Sequence, residues 1–277
     1  MSTAEVAPGA NGAATTAVDP SASGVQGTMR VEHIMGTAIS VDLRDPAVPP
    51  AAVDAAFEHL RDIDARFSTY RADSEISRLA RGERSVAACS PDVREVLDRC
   101  EAIRVMSHGS FDIRAHRADG GLDPSGFVKG WAAEAASDIL AAAGARNYCL
   151  NAGGDVIARG EREPGQPWRI GIRHPELPDR IATVLEARNL AVATSGAYER
   201  GSHIVDPSTK RAPDGLLSIT VVGAHLSEAD AYATAAFAMG RRGLAWIASL
   251  PDYAGCMITT ERRLVWTPEF ERYKVAS

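Results

Sequence analysis

The run Leu190-Ala-Val-Ala-Thr-Ser-Gly-Ala-Tyr198 and, after a short polar turn, His203-Ile-Val-Asp-Pro207 carry an apolar strand-like segment straight into hydroxyls, a glycine, a histidine and an aspartate. Polar groups gathered at the end of a buried strand suggest a site, although Ser-Gly and Asp-Pro are also ordinary turn chemistry. On either side lie segments with helical character. Leu122-Asp-Pro-Ser-Gly-Phe-Val-Lys-Gly130 opens an alanine-rich helix, Trp131 to Ala143, that stops at Gly144, and Glu228-Ala-Asp-Ala-Tyr-Ala-Thr234 begins another.

Farther out, Val53, Phe57, Leu60, Ile63 and Phe67 share one helical face after Pro50. Val93, Val96, Leu97, Cys100 and Ile103 do the same after Ser90-Pro91, a cap followed by a first-turn proline. Ile39, Val41 and Leu43 alternate as in a half-buried strand that follows a Met35-Gly36-Thr37 turn. Asn147 to Ala158 alternates as one strand around Gly153-Gly154, a pair that marks a bulge or a close backbone approach. Trp168 to Ile172 and Ala182 to Glu186 read as strands parted by Pro175 and Pro178. Gly243 to Leu250 reads as a helix, and Gly255 to Thr260 with Arg263 to Thr267 as a closing pair of strands. Strand runs that follow helices predict an α+β protein, with mixed or antiparallel sheets packed with helices in two closely packed lobes.

Met1 to Thr28 is nearly all Ala, Gly, Ser, Thr, Pro and Val without a lysine or arginine. Such a segment buries too little apolar surface to offset the entropy of ordering, so it is predicted to be a flexible tail ahead of one domain, residues 29–277. It also lacks the basic and apolar regions of a secretory signal, which favours a cytoplasmic location. A net charge of −6 does not provide the basic face of a protein that tracks nucleic acid. No apolar run approaches the ~20 residues of a membrane span. Cys89, Cys100, Cys149 and Cys256 are widely spaced with no CxxC pair, so they are expected to be buried free thiols.

The three central stretches together resemble the ApbE family, the FAD:protein FMN transferases. The resemblance also takes in His33-Ile-Met-Gly-Thr37, Ser68-Thr-Tyr70 with Ser74-Glu-Ile-Ser77, Gly109-Ser-Phe-Asp112 and Asn151-Ala-Gly-Gly-Asp155, all in the family's order, from Met29 to Gly240. It implies an FAD cavity between the lobes, contacted by Met35, Tyr70, Ser110, Phe111, Asp112, Asp123, Lys129 and Val205. Tyr70 would stack on the isoalloxazine, and the helix N-terminus after Asp123 would receive the pyrophosphate. It further implies that the Gly126 carbonyl joins Asp230 and Thr234 around magnesium. Those two side chains stand four residues apart, on one helix face, and offer the hard oxygens that the ion prefers.

Each residue also has an ordinary reading. Met35 serves as core, Tyr70 as a packing plug past a helix end, Asp112 as a turn fixer and Lys129 as an exposed helix-start lysine. Asp230 and Thr234 then become a helix cap and a back-bonded threonine.

The activity implied by the resemblance is transfer of FMN from FAD to a serine or threonine hydroxyl of an acceptor flavoprotein, with AMP leaving. Lys129 would add positive charge at the phosphates, and His203, whose imidazole titrates near neutrality, is the candidate to take the hydroxyl proton. Asp206 either orients that histidine or stands behind the metal. Two alternatives remain open: an FAD pyrophosphatase that uses water, and a non-catalytic FAD carrier, against which the Asp230, Thr234 and His203 set argues. One departure stands out. Lys210 occupies a position where the family usually has glycine, so the turn after Asp206 is expected to differ.

Overall fold

In the computed structural model, which describes residues 2–5, 27–115, 121–196, 205–207 and 209–275, the strand-forming runs gather into one large sheet. The chain runs β1 (Ser2–Glu5), β2 (Thr28–Ile34), β3 (Thr37–Leu43), α1 (Pro50–Phe67), α2 (Glu75–Ala80), α3 (Pro91–Met106), α4 (Ser125–Ala142), β4 (Tyr148–Ala152), β5 (Asp155–Arg159), β6 (Trp168–His174), β7 (Leu177–Ala187), β8 (Leu190–Gly196), β9 (Leu216–Gly223), α5 (Leu226–Ala238), α6 (Gly243–Ile247), β10 (Ala254–Thr259) and β11 (Arg263–Trp266). The large sheet has the order β1-β11-β10-β9-β8-β5-β4-β3-β2, and β6 and β7 form a separate hairpin. Every pairing is antiparallel.

The α+β class follows from how the two faces of this sheet are covered. On one face α5 packs on β8 and β9, α4 on β4 and α5, and α1 on α4 and β2. Phe57, Leu60, Phe127 and Ala233 of these helices meet Ile39, Val41, Leu150 and Val221 of the strands in a common core. The other face is closed by β6 and β7, which lay Trp168, Ile170 and Leu185 on Val156, Val192 and Cys256. The two packed parts of the molecule therefore share one sheet. Strands covered on both faces need no polar side, which is why Leu190-Ala-Val-Ala193 is continuously apolar.

The predicted helical stripes hold. All five apolar residues of the first are buried in α1, and Ser90 caps α3 by accepting the Val93 N–H at 3.5 Å. The α4 helix, however, begins at Ser125 rather than Trp131, so Lys129 stands in a helix and not in a loop. Packing against α5 stabilises a first turn whose glycine has weak intrinsic helix propensity.

The stretch read as one strand from Asn147 to Ala158 is a hairpin. Gly153 and Gly154 have φ of +64° and +108° and connect Ala152 to its partner Asp155. Two successive residues in that region suit a tight two-residue turn. Both strands are largely buried, and a glycine pair within an alternating run reads equally as a bulge, so the reversal leaves no separate mark in the sequence.

At the start of the chain, Ser2–Glu5 falls inside the span expected to be a flexible tail, yet it pairs with Arg263–Trp266 at the sheet edge. Backbone hydrogen bonds to an open edge require no apolar side chains. Among the described residues, no helix is long and apolar enough to cross a membrane. All four cysteines are buried and free.

Candidate functional site

A cavity of about 540 Å³ opens where the β2–β3 turn, the end of α1 and the start of α4 meet. Met35 and Gly36 form that turn with φ of +56° and +71°, which fixes Met35 against the cavity wall while part of it packs on the core. Across the opening, the Ser68 carbonyl accepts from Ser74 Oγ at 2.7 Å and from Ser77 Oγ at 3.3 Å. Ser74 Oγ also accepts the Ser77 N–H, capping α2. These hydroxyls account for the Ser74-Glu-Ile-Ser77 motif: they hold the segment that presents Tyr70. Tyr70 is 93% exposed at the rim of the cavity, so it plugs nothing.

Asp123 and Lys129 line the same cavity. Asp123 Oδ1 accepts the Ser125 N–H at 3.1 Å and so shapes the entry to α4. Lys129 is not a solvated lysine. Its side chain is 17% exposed, and its Nζ lies 2.6 Å from Oδ2 of Asp155, a buried residue at the first position of β5.

The residues predicted to supply oxygen donors meet where α4 packs on α5. A Cβ on Gly126 would lie 3.0 Å from Thr234 Oγ1, and one on Gly130 would lie 2.5 Å from the Leu226 carbonyl oxygen and 2.9 Å from Asp230 Cβ. The absent side chains permit this approach, and the Gly130 N–H donates to Asp230 Oδ2 at 3.0 Å. Asp230 and Thr234 are both buried. Ser195 Oγ stands 3.4 Å from Thr234 Oγ1, which joins the Thr194-Ser-Gly196 end of β8 to the group. Thr194 itself donates its N–H to Asp155 Oδ1 at 3.0 Å and shares a 2.9 Å hydroxyl contact with Thr220.

Glu134 of α4 pins the start of α5. It accepts from Ser227 N–H at 3.2 Å and Ser227 Oγ at 2.6 Å, and it lies 2.6 Å from His225 Nδ1. Arg99 pairs with the adjoining Glu228. Farther along α5, burial pushes up the phenol of Tyr232 and that of Tyr253, which packs edge-on against it, so both stay neutral.

A second cavity, of about 260 Å³, is bounded by Ser110, Asp206, Met239, Arg242 and Trp246. The Lys210 N–H donates to the Asp206 carbonyl at 2.7 Å, and the Asp206 N–H to the Arg211 carbonyl at 2.9 Å. Lys210 has φ of +57°. The lysine thus adopts the left-handed backbone that a glycine takes freely.

Ala238, in the wall of this second cavity, is four residues beyond Thr234 on α5, a rise of ~6 Å. Gly126 is three residues before Lys129 of the first cavity. Gly126 and Thr234 thus each stand within about one helical turn of a residue that lines one of the two cavities.

Not every expected residue enters a cavity. Phe111 is buried in the helical-side core. Asp112 Oδ1 accepts the Arg114 N–H at 2.9 Å, the turn-fixing arrangement. Val205 is partly buried beside Asp206 and lines neither of these cavities. His203, with Tyr198, lies outside the described residues. Two positions are not among the residues expected at the site, Asp155 and Glu134, whereas Ser195 lies in the hydroxyl run read as suggesting one. Asp155 closes the Asn151-Ala-Gly-Gly-Asp155 motif, in which the glycines are the conspicuous signal.

A model of the ApbE family matches the chain in two overlapping segments, residues 35–119 and 113–258. The chain is 28% identical over 243 residues to the FAD:protein FMN transferase of Vibrio cholerae, an overlap covering 67% of this chain and 73% of that protein. It is 35% identical over 157 residues to the FAD:protein FMN transferase of Rhodobacter capsulatus, covering 53% of this chain but only 30% of the relative. Its fold matches the flavin transferase ApbE from Vibrio cholerae with a TM-score of 0.79 at 23% identity, over 90% of this chain and 99% of that one. The ApbE protein from Thermotoga maritima gives a TM-score of 0.81 at 21% identity, over 91% and 100%.

Proposed function

The chain belongs to the ApbE family, and from that premise we propose that it transfers FMN from FAD to a serine or threonine hydroxyl of an acceptor flavoprotein, releasing AMP. The observation that carries this reading is the close approach of α4, at Gly126 and Gly130, to Thr234 and Asp230 of α5, next to the cavity lined by Met35, Tyr70, Asp123 and Lys129. The isoalloxazine would occupy the larger cavity against Tyr70 and Met35, whose aromatic face and soft thioether suit a flat conjugated ring. The adenosine end would occupy the cavity with Ser110 and Arg242, leaving the pyrophosphate between them.

The carboxylate of Asp230, the hydroxyl of Thr234 and the carbonyl of Gly126 are hard donors that fit magnesium. The missing Gly126 side chain keeps open the space that a Cβ would fill, 3.0 Å from Thr234 Oγ1. When bound there, magnesium supplies charge neutralisation at the phosphate oxygens. The remaining work falls to the chain's own groups. Lys129 adds a compact positive charge toward the pyrophosphate, and the N–H groups at the start of α4 favour the same anion.

In the transfer, a bond forms between the acceptor hydroxyl oxygen and the FMN phosphorus, and the pyrophosphate bond to AMP breaks. The hydroxyl proton goes to His203 as the proposed base, oriented by Asp206. A cytoplasmic location, with the acceptor in the same compartment, is part of this proposal.

The test is incubation of purified protein with FAD and magnesium, with and without EDTA and with candidate flavoproteins. Chromatography reads AMP, and intact-mass spectrometry reads the acceptor. The expected result is metal-dependent AMP release matched mole for mole by FMN on the acceptor. AMP and free FMN in equal amounts without any acceptor would establish the hydrolase instead. Failure to bind FAD would remove the reading altogether.

A further inference from the structure

Asp155 is 1% exposed and lines neither of the two cavities, yet both of its oxygens are committed. Oδ2 lies 2.6 Å from Lys129 Nζ, and Oδ1 accepts the Thr194 N–H at 3.0 Å. One carboxylate thereby ties α4, the first residue of β5 and the end of β8. The glycine turn fixes it in turn. Gly153 is packed so closely on Thr37 that a Cβ would lie 2.3 Å from Thr37 Oγ1, which leaves Asp155 little freedom in register.

A charge this buried persists when it is paired and hydrogen-bonded. A lysine, for its part, is a point charge on a flexible stem whose direction must be imposed by a partner. The strand end that Asp155 holds also brings Ser195 Oγ to 3.4 Å from Thr234 Oγ1. We infer that Asp155 is a positioning residue, which orients the Lys129 ammonium toward the cavity and sets that ammonium in register with the Ser195–Thr234 side of the site. The inference rests on the reading of Lys129 as a phosphate contact.

In Asp155→Asn the amide oxygen can keep the Thr194 N–H, but the amide nitrogen then faces the ammonium, donor against donor. Lys129 is released from its direction. FAD cleavage should fall by about 10²-fold in kcat, the usual scale for a charge displaced by an ångström or so. The KM for FAD should stay level or fall, because an ammonium no longer held by a carboxylate is available to the ground-state phosphate. A purely structural lesion would instead raise KM.

The decisive comparison is made in a Lys129→Met background. If Asp155 acts through Lys129, adding Asp155→Asn to Lys129→Met leaves kcat and the FAD dissociation constant within about twofold of Lys129→Met alone. This pair remains informative even if Asp155→Asn does not fold by itself, since the double variant buries no unpaired charge. Flavin fluorescence in EDTA supplies the dissociation constants without turnover. A wild-type protein that binds FAD but never cleaves it would sink the transferase reading while still reporting the Lys129–Asp155 coupling. Independent, multiplicative losses from the two substitutions would overturn the positioning role.

Discussion

Replacing Gly130 by alanine tests the helix contact that brings the proposed metal ligands together. The added Cβ would lie 2.5 Å from the Leu226 carbonyl oxygen and 2.9 Å from Asp230 Cβ, whereas ordinary contact begins near 3.4 Å. Both obstacles belong to α5 close to its backbone, so no side-chain rotation relieves them, and the helices must part by nearly an ångström. Overpacking of this kind costs about 1–3 kcal/mol. Displacing the Gly130 N–H from Asp230 Oδ2 weakens a hydrogen bond to a carboxylate, a further loss of roughly 1.5–3 kcal/mol if it breaks. Alanine in a helix interior returns ~1 kcal/mol over glycine.

With the hydrogen bond broken, the balance is a destabilisation of about 1.5–5 kcal/mol, or roughly 3–10 °C in Tm for a chain of this size. Circular dichroism melts, with urea unfolding as a second measure, read this directly. Gly126→Ala is the matched control. There the nearest atoms are Thr234 Oγ1 at 3.0 Å and Cγ2 at 3.3 Å, both on a side chain. Its stability should lie within ~1 kcal/mol of wild type, because rotation of Thr234 offsets the crowding as the helix gains alanine. A Gly130→Ala protein that melts at or above wild type would refute the close-approach argument.

Asp230→Asn retains an oxygen for the Gly130 N–H, so the fold should survive while metal-dependent FAD cleavage falls by ~10² or more; unchanged turnover would show that the oxygen group is not the metal site. Lys210→Gly should stabilise the protein by about 1 kcal/mol, since it relieves a left-handed backbone at a non-glycine residue, and an unchanged urea midpoint would count against that strain. Burial raises the thiols of Cys100, Cys149 and Cys256 from 9.0 to about 12. Because the folded form keeps a proton that the unfolded chain loses, their contribution is fully present below pH 9 and is lost as pH rises toward 12. The slope is at most about 1.4 kcal/mol per pH unit for each thiol. Urea titrations between pH 8 and 11 on wild type and a Cys149→Ala variant would separate this loss from the general alkaline decline; identical slopes would argue against it.

The sequence revealed the parts of this molecule whose causes are local. The α1 stripe from Val53 to Phe67 is read from spacing alone because one face is buried and the other is wet. The order of motifs from His33 to Thr234 carried the family, and the antiparallel α+β fold followed. The start of α4 was hidden because its first turn is stabilised by α5, about a hundred residues away in sequence. The Gly153–Gly154 reversal was hidden because a glycine pair within an alternating run reads equally as a bulge in one strand. Tyr70 offered a ring but no sign of exposure, which depends on hydroxyls at 74 and 77 stapling the carbonyl of Ser68. Asp155 closes a motif whose glycines are conspicuous, but its value comes from Lys129 and Thr194, partners that only the folded chain brings to it.

The exposed Tyr70 has a calorimetric consequence. An aromatic residue 93% exposed at the mouth of a cavity keeps a shell of solvent that any flat ligand must displace. Releasing that shell gives association a negative heat-capacity change. Titration calorimetry at several temperatures would then show the heat of FAD binding growing more exothermic on warming, and Tyr70→Ala should flatten that dependence. The aromatic rim would be visible as a temperature slope even where its contribution to affinity is small.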